Sequence, residues 1–197
     1  MTRQIDVWTM GELLVEIMRP KVGMELGCPA EFRGPYPSGA PGIFIDTVAR
    51  LGRSAAIISG VGDDEFGACI PQRLARDGAC TDFIEVFSGK STGAAFVTYF
   101  RDGSRKFMFH WDGRPAVLAR VPPSGAIRAP RYFHVMGCSL MANERFRKAL
   151  FRAVDLFARK GAKISLTRTS VSNCLASARW GRSWNRSRQA SCWRDSD

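Results

Sequence analysis

The stretch AAIISGVGDDEFGACIPQRLARDG, residues 55–78, constrains the fold more than any other. Residues 55–59 read as a short apolar strand and GVGDDEFG as a turn, while Phe66, Ile70 and Leu74, each four apart, mark a helix stopped by Gly78. The same order recurs downstream. After a Pro-rich loop at 121–130, RYFHVMG reads as a buried strand, and Asn143 caps a helix with Phe146, Leu150, Val154 and Phe157 on one side and Gly161 beyond its end. AKIS then begins a further strand. Upstream, residues 5–18 read as a strand pair, or one strand broken at Gly11. A Pro/Gly-rich loop at 20–42 feeds a helix on which Phe44, Val48 and Leu51 recur and which Gly52 ends. Strands alternating with helices imply a parallel sheet covered by helices, an α/β fold.

One segment departs from this order. TGAAFVTYF and RKFMFHW are β-rich runs flanking RDGS, whose Asp102 and Gly103 signal a hairpin turn. A small β appendage to the α/β sheet follows. The 197 residues suit one domain, and no apolar run reaches the roughly 18 residues that span a bilayer. Acids interrupt the apolar N-terminal stretch, so it does not read as a signal peptide, and a cytoplasmic location is expected. Six cysteines, at 28, 69, 80, 138, 174 and 192, form no C-x-x-C pair and are expected to be mostly buried thiols rather than metal ligands or disulfides. The net charge of +11 raises a nucleic-acid reading, but in the body of the chain Lys and Arg are dispersed rather than striped along one helix face.

Three motifs in order resemble those of the PfkB-type, ribokinase-like carbohydrate kinases. PSGAPGIFIDTVARLG is similar to the family's Gly-Gly-Ala-Pro-x-Asn loop and following helix. SGVGDDEFGACIPQRLARDGACTDFI resembles its Val-Gly-x-Asp-x-x-Gly landmark, and TGAAFVTYFRDGSRKFMFH resembles its β lid. The opening MGELLVEIM looks closest to kinases of keto-sugars or 2-keto-3-deoxy sugar acids. The resemblance implies a doubly wound sheet with a β lid built from about 10–40 and 90–112. It implies a sugar or sugar acid as substrate, ATP with Mg2+ as phosphoryl donor, and a homo-oligomer through the lid. Carried over residue by residue, Glu12 takes the place of an acid that binds sugar hydroxyls, and Gly39 and Ala40 let the backbone approach the sugar. The family's asparagine falls at Ile43, so Asp46, one turn on, is either a substitute contact or a surface acid. In the lid, Met108 and His110 share one face and Phe107 and Phe109 the other, and the first pair would face the sugar if the lid aligns as in the family. His134 is expected to be an internal histidine.

The family's catalytic Gly-Ala-Gly-Asp helix N-terminus occurs nowhere in the 197 residues, and neither does a Walker A loop. The expectation is a kinase domain at 1–165, truncated before its catalytic half, inactive alone and lacking the ATP site. From residue 166 the chain contains no Lys or Glu, but six Arg, seven Ser and three of its five Trp. Residues 167–171 can be coded so that a one-base shift yields the family's Asp-Pro-Asn-x-Arg. Residues 166–197 are therefore read as a frameshifted, disordered tail, in preference to a basic arm offering charge and stacking faces to nucleic acid. The second functional reading is a non-catalytic sugar-binding or oligomerisation remnant.

Overall fold

A computed structural model describes residues 4–111 and 113–167; the segment 166–197 expected to be a frameshifted tail lies, apart from its first two residues, outside the described residues. In chain order the first elements are β1 (Val7–Met10), β2 (Leu14–Met18), β3 (Arg33–Ser38), α1 (Ala40–Arg50), β4 (Ala55–Gly62) and α2 (Glu65–Arg76). They are followed by β5 (Ile84–Phe87), β6 (Gly93–Tyr99), β7 (Arg105–His110), β8 (Tyr132–Met136), α3 (Glu144–Arg159) and β9 (Lys163–Thr167). One sheet has the order β5-β4-β1-β8-β9 and is parallel throughout. The second has the order β3-β2-β6-β7.

Alternation along the parallel strands sorts the core into two layers. Trp8, Met10, Ala56, Ile58, Phe133 and Val135 lie with Phe146, Leu150 and Phe157 of α3. Ala55, Ile57 and Val61 lie with Ile45 and Ala49 of α1 and Ile70 and Leu74 of α2. Helices thus cover both faces of the five-stranded sheet, the doubly wound arrangement expected from the sequence. Its strands being buried on both faces accounts for the uninterrupted burial of β4, where Ser59 is accommodated by donating to the Gly11 carbonyl.

Four boundaries differ from the sequence reading, each for a physical reason. GVG at 60–62 belongs to β4 rather than to a turn: a Cβ on Gly60 would lie 2.4 Å from the Pro115 carbonyl, and one on Gly62 2.2 Å from the Lys90 carbonyl. The glycines admit neighbouring backbone to a strand. The expected loop at 20–42 contains β3, whose Pro35 and Pro37 are tolerated because the strand lies at a sheet edge. β5 is a four-residue edge strand of mixed burial, too short to show a period-two pattern. On α1 the inward residues are Pro41, Gly42, Ile45 and Ala49, while Leu51 is 75% exposed. Phe44 and Val48 pack at the margin of the core and line a shallow apolar groove of about 300 Å³ with Val7, Tyr132 and His134. The thiols also correct an expectation, since Cys28 is exposed and Cys69 and Cys138 are only half-buried.

The strand pair at 5–18 divides at Gly11, β1 entering the parallel sheet and β2 the other. β2 is followed by Arg19, which is 4% exposed. Its Nε donates to the Glu25 carbonyl at 3.1 Å, Nη1 to those of Ala30 at 2.9 Å and Glu31 at 3.1 Å, and Nη2 to those of Leu26 at 3.0 Å and Cys28. All five guanidinium donors are used, and the group stacks 3.8 Å from the Phe32 ring centroid. One side chain therefore folds the segment between β2 and β3 around itself.

Candidate functional site

The four-stranded sheet has one face turned to the core and one turned away. Val15 and Ala94 belong to the cluster with Leu13, Ile45, Ile70 and Leu74, and Ile17 and Phe96 pack against it. Cross-strand partners share a face. Pro37, Val15, Ala94 and His110 therefore form one row of the core-side face, and Ile17, Phe96 and Met108 another. The opposite face carries the row Tyr36, Glu16, Ala95 and Phe109, spanning all four strands. Beside it lie Ser38, Leu14 and Gly93. Ser38 Oγ donates to Glu16 Oε2 at 3.4 Å. Tyr36 is 46% and Phe109 38% exposed.

Ser38 leads into Gly39 and Ala40, the turn that starts α1. Gly39 has φ of 101°, and a Cβ there would lie 2.3 Å from the Glu12 carbonyl oxygen. This position requires glycine. Gly39 and Ala40 are thus brought beside the row containing Glu16, a cluster of one carboxylate, two hydroxyls, an aromatic ring and close backbone. Glu16 was not singled out from the sequence, although the alternation of Leu14, Glu16 and Met18 against Val15 and Ile17 places an acid on the outward face.

The remaining expected residues lie elsewhere. Glu12 is 6% exposed, with Ser139 Oγ donating to Oε2 at 2.6 Å and Cys138 Sγ to Oε1 at 3.1 Å. Both oxygens are engaged inside the protein, against the turn at Gly137–Met141 that follows β8. Burial raises the carboxyl above its ordinary range, and the bonds from Ser139 and Cys138 only partly offset this. Burial and then the Glu12 charge push the Cys138 thiol upward, which makes it a poor nucleophile. Asp46 lines a cavity of about 80 Å³ between α1 and α2 with Leu13, Ser38, Ile43 and Arg73, and lies 3.9 Å from Arg50. Burial and then neighbouring Asp77 raise its carboxyl, while Arg73 ion-pairs with Asp77 at 2.5 Å. Met108 and His110 share a face, as alternation requires, and Phe107 stacks on Phe109 with centroids 5.2 Å apart. His110, however, meets the edge of Phe96 on the core-side face. His134 is internal, its Nδ1 paired with Ser165 Oγ and its Nε2 with Thr167 Oγ1, both at 2.8 Å, and burial lowers its basicity.

Among the described residues no group of three or more His, Cys, Asp or Glu is placed to hold a metal ion. No helix of the described residues is long and apolar enough to cross a membrane.

Comparison with known proteins gives a consistent result. A family model described as "pfkB family carbohydrate kinase" matches residues 36–177. Fructokinase-1 of Zea mays is 36% identical over 163 residues, covering 81% of this chain and 49% of the relative. Fructokinase of Solanum tuberosum is 33% identical over 163 residues, 80% of this chain and 49% of the relative. Among solved structures, the apo form of a "putative Ribokinase II" from E. coli superposes with a TM-score of 0.74 at 40% identity, covering 82% of this chain and 52% of that one. The same protein is also known in complex with ATP and Mg2+, with a TM-score of 0.73, 39% identity and the same coverage. The chain spans about half the length of the curated relatives it matches. With the fold, the motif order and the family match in agreement, the chain belongs to the pfkB family of carbohydrate kinases.

Proposed function

We propose that these residues form the sugar-recognition side of an ATP-dependent carbohydrate kinase, and that the outward face of the four-stranded sheet, with the Gly39 turn, is where the sugar binds. The observation that carries this reading is the row Tyr36, Glu16, Ala95 and Phe109 lying beside Ser38 and Gly39. A carboxylate accepts from two adjacent sugar hydroxyls, a tyrosine and a serine hydroxyl donate or accept, and an exposed ring covers an apolar sugar face. Glu16 takes the part expected of Glu12. The curated relatives are fructokinases, which supports a ketose as substrate class. When bound, ATP with Mg2+ supplies the phosphoryl group in this chemistry; this chain's residues hold and orient the acceptor hydroxyl.

The Gly-Ala-Gly-Asp motif is absent from the 197 residues, so on their own they bind sugar without transferring phosphate to it. Exposed Tyr36 and Phe109 on the same face support a second role, contact between copies through the lid. Calorimetry with a panel of ketoses and 2-keto-3-deoxy sugar acids tests recognition. Saturable binding of one class, lost in Glu16→Ala with folding retained, is expected. No binding by the folded chain contradicts the reading, and so does turnover above background in a coupled ATP assay.

A further inference from the structure

We infer that the cleft between α3 and residues 117–121 is a binding site for a small phosphate-bearing anion, separate from the sugar face. The cleft, of about 230 Å³, is lined by Val117, Leu118, Ala119, Arg120, Val121, Arg145, Ala149 and Arg152. None of these residues belongs to the outward sheet face. On α3, Arg145 and Arg152 stand two turns apart, about 10 Å along the axis, and Ala149 lies between them on the same side. The small side chain leaves the space the two guanidinium groups border. The opposite wall presents Arg120, held in place by Glu85, whose Oε2 accepts from Nε at 3.3 Å and whose Oε1 accepts from Nη2.

Arg120 is ion-paired with Glu85, but the charge on the α3 wall is not compensated: no carboxylate lines the cleft, and among the described residues neither Arg145 nor Arg152 forms an ion pair. Glu144, the acid beside Arg145, is bound to Lys148 at 2.8 Å. Guanidinium groups match phosphate oxygens in forked geometry, and the two on α3 without an ion pair, facing Arg120 and its Glu85 partner, border a pocket whose size suits a compact anion. A nucleic-acid strand would need a continuing basic track, and the cleft is closed by apolar Val117, Ala119 and Ala149.

The test titrates inorganic pyrophosphate, a hexose phosphate and a short duplex DNA separately into the isotopically labelled full chain in about 150 mM NaCl, following backbone amide shifts. Saturable shifts at Val121, Ala149 and Arg152 with the small anions are expected, and whichever of the two binds tighter identifies the source of the phosphate. Arg145→Gln/Arg152→Gln should weaken binding by at least about tenfold. Arg147→Gln/Arg159→Gln, which removes equal charge from the same helix outside the cleft, should leave it unchanged. Non-saturable shifts, equal weakening by the two double variants, or a response to DNA alone would overturn the inference.

Discussion

Two side chains show how much rests on single residues. Arg19 supplies five donors to five carbonyls of one segment, so replacing it leaves those carbonyls without their partner and the Phe32 ring without its stack. Arg19→Met should cost about 2–4 kcal/mol, read from urea unfolding. It should also make the segment between β2 and β3 the first site of limited proteolysis. Glu12 acts through the pH dependence of stability. Its folded carboxyl titrates above the ordinary value of 4.5, so the folded state binds the proton more tightly than the unfolded chain does. This contribution is fully present below pH 4.5 and is lost as pH rises through the raised value. Urea unfolding across that window should show the stability of the wild type falling relative to that of Glu12→Gln, which lacks this component. Equal slopes would mean that Glu12 is not buried as described. The acid was legible in the sequence. Its direction was not, because that is set by Ser139 and Cys138, some 126 residues away.

Among elements, the turn after β4 is the tightest junction. Asp64 caps α2 by accepting from the Gly67 N–H at 2.7 Å, and it also accepts from the Thr92 N–H at 2.8 Å and hydroxyl at 2.6 Å. Burial alone would raise this carboxyl, but the bonds from Thr92 and Gly67 outweigh it and hold the group below its ordinary range. Its stabilising effect is therefore present above the unfolded value and lost as pH falls through the folded one. Asp64→Ala should cost about 2 kcal/mol at neutral pH, measured by thermal or urea unfolding, and should loosen the start of β6 as well as α2. Helix positions were legible because α2 and α3 carry apolar residues at helical spacing and side-chain caps at Asp64 and Asn143. β3 was not legible, since its prolines resemble a loop until an edge position makes them acceptable. On α1 the fully buried Pro41, Gly42, Ile45 and Ala49 are small or β-branched and less conspicuous than Phe44 and Val48, which pack at the margin of the same core, and Leu51, which does not.

For the whole molecule, alternating strands and helices made the doubly wound sheet readable, and the Asp102 and Gly103 turn made the second sheet readable. The orientation of the second sheet was less readable. Which side of a four-stranded sheet packs on the core depends on contacts of Val15 and Ala94 with distant helices, and the sequence reading put Met108 and His110 toward the sugar on the condition that the lid aligns as in the family. In the fold they lie with Phe96 on the core-side face. β9 ends the parallel sheet among the described residues, with Ile164 36% and Leu166 38% exposed. An apolar parallel edge promotes association between chains. Light scattering should detect self-association of the chain, and Ile164→Lys/Leu166→Lys should reduce it without altering the helical circular dichroism. The central claim is that the outward face, and not the face of Met108 and His110, holds the sugar. An amide-shift map of the full chain titrated with fructose tests it most directly. Saturable shifts concentrated at Glu16, Ser38, Gly39, Ala95 and Phe109 are predicted; shifts centred on Met108 and His110, with those five unmoved, would contradict it.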